Sequence, residues 1–93
     1  MPRSPSTAPE WASFSRAIGA EMHRVRVARG FSQERVAYHA GLSRYTYQKL
    51  EKGESRPGTP ANPTVQTLLA VAQVLGVALS DLLPDKVPDL TAR

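Results

Sequence analysis

The tripeptide Ala40-Gly41-Leu42 constrains this chain more than any other stretch, because helical patterns run up to it from both sides with almost no chain between them. Ser32 is a good N-cap, and Val36, Ala37 and Ala40 recur at helical spacing, which predicts a helix from about Gln33 to Ala40. Gly41 stops it, since glycine takes the left-handed conformation that turns the chain within one residue. Leu42 can plug the corner. Ser43 then caps a second helix, with Tyr47 and Leu50 apolar and Gly53 at its end. Helices so tightly joined must pack at a steep angle, and the small Ala37 lets them approach. The second helix keeps a polar face of Arg44, Tyr45, Gln48, Lys49 and Lys52.

Gln33, Ala37, Gly41, Ser43 and Leu50, followed by Glu51-Lys52-Gly53, resemble the helix-turn-helix of the XRE/lambda-repressor-like family, and the similarity runs from Ile18 to about Leu83. Tyr47 departs from it: the family usually has Ile or Val there, and the bulkier side chain brings a hydroxyl that needs a partner or water. The resemblance implies an all-α, five-helix lambda-repressor-like domain in a sequence-specific regulator of transcription that binds double-stranded DNA. It also implies base-reading positions at Arg44, Tyr45, Gln48 and Lys49, a phosphate contact from Gln33, and an ion pair between Arg26 and Glu51 that fixes the second helix to the first.

The residue chemistry is compatible with those roles. Arg44 can fork onto the O6 and N7 of guanine, and Gln48, one turn later, can pair with the N6 and N7 of adenine. Phosphate contacts need helix N-termini and cations. Ser32, Gln33, Arg35, Ser43, Thr46, Lys52 and Arg56 are the candidates, with Arg35 and Arg56 equally at home as solvated side chains and Thr46 divided between a cap and a phosphate. Glu51 is an acid in the most basic part of the chain. Residues 16–56 hold nine basic groups against four acids, within a total charge of +4. A basic half that coincides with the helix pair fits a polyanionic partner.

Other functions find little support. The chain has no cysteine and only two histidines, His23 and His39, with no nucleophile motif, phosphate-binding glycine loop or metal-ligand cluster, so neither an enzyme nor a cofactor or metal is expected. No apolar run approaches the ~20 residues of a membrane span and MPRSPSTAPE is unlike a signal peptide, so a cytoplasmic protein is expected.

The rest of the chain is read as support for the helix pair. Residues 1–8, with two prolines, are expected to form a disordered arm in which Arg3 could touch a phosphate. The domain then covers 9–83. Thr7-Ala8-Pro9-Glu10 resembles a capping box, and Trp11, Phe14, Ile18, Met22 and Val25 form one face of a helix that is longer than the family's usual first helix and ends at Gly30; Gly19 could mark a break in it. Trp11 and Phe14 either fold back on the domain's own core or serve a partner. Residues 53–63, with three prolines, read as a loop. Asn62 and Pro63 are expected to open the next helix, with Val65, Leu68, Leu69, Ala72 and Leu75 apolar and Gly76 at its end; a fifth helix follows over Ala78 to Leu83. The tail 84–93 carries Val87 and Leu90. A homodimeric repressor on an inverted-repeat operator is the function expected. The alternative is an antitoxin or other partner-controlled module on the same fold, gripping a protein through Trp11 and Phe14 or through the tail.

Overall fold

Apolar residues at three- and four-residue steps build the first helix, α1 (Ala8–Ala28), from which the core grows. The computed structural model describes residues 8–91, so the expected arm falls outside the described residues except for Ala8, which is helical. Ile18, Met22 and Val25 are buried, while Trp11 and Phe14 are half-buried at the start of the helix. Gly19 does not break α1. It lies where α1 crosses the segment that ends at Gly53, and a Cβ there would overlap the carbonyl oxygens of Leu50 and Glu51.

The helix pair is α2 (Gln33–His39) and α3 (Arg44–Lys52). Ser32 and Ser43 cap them by accepting the backbone N–H of Arg35 and Thr46, each at 3.0 Å. Between them Gly41 has φ +74°, while Leu42 N–H reaches the Ala37 carbonyl at 2.8 Å and Gly41 N–H that of Tyr38 at 3.2 Å. These two bonds satisfy the last carbonyls of α2 and turn the chain directly into Ser43. Val36 and Ala37 from α2 and Tyr47 and Leu50 from α3 complete that side of the core.

Four expectations need correction. Residues 53–63 are not simply a loop: β1 (Glu54–Arg56) pairs antiparallel with β2 (Thr59–Pro60), with a bulge between Glu54 and Arg56. Pro57-Gly58, with φ +80° at glycine, makes the turn, and Pro60 is tolerated because an edge strand need not donate on both sides. The following helix, α4 (Val65–Leu75), is capped by Thr64, whose Oγ1 accepts Thr67 N–H at 3.1 Å, and not by Asn62. Pro63 biases Asn62 toward extended backbone, which delays the start by two residues. The buried face of α4 is Leu68, Val71, Ala72 and Leu75, whereas Val65 and Leu69 are exposed. This helix is apolar around much of its circumference, so periodicity alone did not choose the face. Finally, the described residues contain four α-helices rather than five. Leu79–Leu82 forms a single 3-10 turn, confined between Gly76 and Pro84, that buries Leu82 and is capped by Asp81 on Ala78 N–H at 2.9 Å. Among the described residues no helix is long and apolar enough to cross a membrane.

Candidate nucleic-acid interface

The N-terminal half of α3 presents its polar side chains at the surface. Arg44, Tyr45 and Thr46 are exposed and Gln48 and Lys49 half-buried, while Tyr47 and Leu50 alternate inward to hold the helix. Lys49 Nζ sits 4.1 Å from the centre of the Tyr45 ring, a cation–π contact that aligns the two on one face. Ser43 and Thr46 use their hydroxyls on each other at 2.9 Å as part of the cap. Ser32 likewise caps α2, and Arg35 lies 4.5 Å over the Phe31 ring. Lys52 is exposed at the end of α3, and Arg56 stands apart, on the hairpin.

The other end of α3 is tied down by charge. Arg26 Nε donates to Glu51 Oε2 at 2.6 Å and Nη2 to Oε1 at 3.1 Å, while Nη1 reaches the Phe31 carbonyl at 2.9 Å. The two side chains are only 12% and 5% exposed. Gln33 Nε2 joins the cluster, donating to Glu51 Oε1 at 2.9 Å. This contact holds the side chain at the first position of α2 and leaves its second N–H available. His23 is a member that the residue pattern did not bring out: its Nδ1 lies 3.1 Å from Glu51 Oε1 and 3.2 Å from Arg26 Nη2. The available signal was its place one turn before Arg26 on the same face of α1.

Burial disfavours a charged Glu51, yet the donors around it, Arg26 foremost, outweigh that and bring its pKa down to about 2. Arg26 is held correspondingly more firmly protonated by its hydrogen bonds to Glu51. Tyr47 is fully buried beside this pair, and burial together with the neighbouring carboxylate pushes its phenol well above the usual range. Its hydroxyl is near enough to feel both charges but makes no hydrogen bond of sound geometry. A buried hydroxyl without a partner costs about 1 to 3 kcal/mol, so Tyr47→Phe should leave stability unchanged or raise it by about 1 kcal/mol. Urea denaturation of the two proteins checks this, and a marked loss would show that the hydroxyl is bonded after all.

Ser15 is the second residue missed, because a serine on an apolar stripe carries no distinctive pattern. It is buried, and its Oγ donates to the Ala61 carbonyl, which also accepts Trp11 Nε1–H at 3.2 Å.

Residues 17–83 match the family model described as a helix-turn-helix domain. The chain belongs to the XRE-like helix-turn-helix family of transcriptional regulators. Among curated members it is similar to the uncharacterized HTH-type transcriptional regulator y4dJ of Sinorhizobium fredii, at 37% identity over 65 residues that cover 70% of this chain and 77% of that one. Among solved structures it is similar to the restriction-modification controller protein C.AhdI of Aeromonas hydrophila, with TM-score 0.68 and 25% identity over 76% of this chain and 98% of that one. It is also similar to SinR, the master regulator for biofilm formation, in complex with DNA, with TM-score 0.59 and 28% identity over 70% of this chain and 95% of that one. The family match begins at Ala17, so Trp11, Phe14 and Ser15 lie outside it and belong to what this chain adds to the helix-turn-helix domain.

Proposed function

We propose that this protein represses transcription by binding double-stranded DNA sequence-specifically, as a homodimer on an inverted-repeat operator. The observation that carries the reading is α3 itself. Its capped N-terminal half presents Arg44, Tyr45, Gln48 and Lys49, while its C-terminal end is fixed to α1 through Glu51. In this family's motif that N-terminal end enters the major groove, where a forked Arg and a Gln amide distinguish bases. Gln33 at the start of α2, with Ser32, Arg35, Ser43, Thr46, Lys52 and Arg56 around the same basic half, supplies phosphate contacts. One such domain reads few base pairs, and two-fold doubling is the usual route to useful specificity. The solved complex of the SinR relative with DNA supports the DNA-binding part of this reading, and a SinR–SinI protein complex stands beside it. Trp11 speaks against a partner-gripping role, since its indole N–H is committed within the chain. A cytoplasmic location goes with it.

A binding selection on random duplex DNA, combined with the solution mass of the complex, tests the proposal. Gln33→Ala should weaken binding on all sequences alike, whereas Arg44→Ala or Gln48→Ala should change which bases are preferred, by about 1 to 3 kcal/mol per lost bidentate contact. An unchanged consensus from Arg44→Ala would remove that residue from the reading set.

A further inference from the structure

The hairpin after the recognition helix is fastened at its base and bare at its tip. At the base, Ala61 N–H donates to the Gly53 carbonyl at 2.9 Å, and the Ala61 carbonyl takes two hydrogen bonds from α1, those of Trp11 and Ser15. Gly53 is pressed on the same stretch of α1, where a Cβ would come within 2.6 Å of Arg16 Cα. At the tip, Ser55, Arg56, Pro57 and Gly58 are exposed, and among the described residues nothing bonds the Arg56 side chain. Two backbone features define this hairpin: the Pro57-Gly58 turn at its tip and the Ala61 carbonyl with two donors at its base. Arg16 and Lys52 are exposed on either side of the base, against the half-buried Glu54, so the neighbourhood is net positive.

An arginine on a short arm that leaves the C-terminal end of α3, whose N-terminal half faces the groove, is within reach of a phosphate strand that borders the groove. Arg56 ends β1, three residues past the Gly53 cap of α3, and a strand advances about 3.3 Å per residue at most, so Arg56 lies within about 10 Å of that cap. We propose that β1–β2 is a wing that brings Arg56 to the DNA backbone, and that Trp11 and Ser15 are positioning residues for it, acting through the Ala61 carbonyl. This rests on the DNA-binding reading above and extends it to the part of α1 that precedes the family match. On this view Phe14 packs on the core, while Trp11 and Ser15 serve neither as spare core nor as a partner-gripping surface. They brace the wing against α1, which also fixes α3 through Gly19 and Arg26, so that helix and wing meet the duplex in a set relation.

The test uses the full chain and a duplex recovered by selection, with affinity read by fluorescence anisotropy over a range of salt and with thermal melts recorded for each protein. Arg56→Ala should weaken binding about tenfold and reduce the slope of log affinity against log salt by about one. Trp11→Phe, which keeps most of the packing and removes the indole N–H, and Ser15→Ala should each weaken binding severalfold. In the Arg56→Ala background those losses should vanish, even if a decrease in melting temperature remains. Unchanged affinity and slope for Arg56→Ala overturns the wing. A loss from Trp11→Phe and Ser15→Ala that is undiminished without Arg56 overturns the positioning role and makes them plain packing residues. Failure of the unaltered protein to bind any selected duplex overturns the DNA-binding reading itself, which is a separate result.

Discussion

Glu51→Gln should destabilise the domain by about 3 to 5 kcal/mol, the range for removing one partner of a buried ion pair. Glutamine keeps the shape and one acceptor oxygen, so the loss reports charge and not volume. What remains is the Arg26 guanidinium, 12% exposed and without its counter-charge, along with Gln33 and His23 facing an amide. In a domain of this size each kcal/mol corresponds to about 4 to 8 °C of melting temperature, so circular dichroism melts resolve the effect. A decrease under about 1 kcal/mol is what a solvent-exposed pair would give, and would place the pair in water rather than in the interior. Replacing both partners by apolar residues of similar volume should recover much of the loss, since the penalty comes from an unpaired charge.

The same residue sets an acid limit. In the folded protein Glu51 has its pKa at about 2, below the ordinary range near 4.3 for an unfolded chain. A group with a depressed folded pKa stabilises fully above its unfolded value and loses that contribution as pH falls through the folded one. Stability should therefore be flat in this respect above about pH 5 and decline between about 4.3 and 2. Glu51→Gln should remove that part of the decline. Melts across this window for both proteins compare the two slopes directly, and identical acid profiles would mean that Glu51 gains nothing from its donors on folding.

The helix pair was legible in the sequence because its signals are local. Caps at Ser32 and Ser43, the reversal at Gly41 and the stop at Gly53 each act within a few residues, and they survive folding unchanged. The hairpin was not legible, because three prolines and two glycines in residues 53–63 signal a turn without showing that Ala61 is fastened to α1, some 46 residues away in sequence for Ser15. The choice of face on α4 failed for the related reason that a helix apolar around much of its circumference is oriented by what it packs on. Site residues followed the same division. Exposure of Arg44 and Tyr45 on α3 follows from their place relative to Tyr47 and Leu50. The engagement of Gln33 with Glu51, and the inclusion of His23, depend on three helices meeting. Gly19 shows the limit most sharply: read locally it weakens a helix, and in three dimensions it is what permits α1 and α3 to touch.

Gly19→Ala should cost about 3 kcal/mol or more, at or beyond the upper end of the usual overpacking range. Helix propensity alone would favour alanine by about 1 kcal/mol in the interior of α1, so the sign of the measured change separates the two influences. The new Cβ would lie 2.5 Å from the Leu50 carbonyl oxygen and closer still to that of Glu51, and both are backbone atoms that cannot rotate away. Relief requires α1 and α3 to separate. That movement pulls Arg26 from Glu51 and shifts the helix bearing Arg44 and Gln48, so duplex affinity should fall together with the melting temperature. Gly30→Ala is the control: its φ of +73° disfavours alanine, but a Cβ there meets nothing within 4 Å. It should cost only the backbone term, about 1 to 2 kcal/mol, and leave affinity intact. A Gly19→Ala protein as stable as the original would show that the helices do not cross as closely as these positions place them.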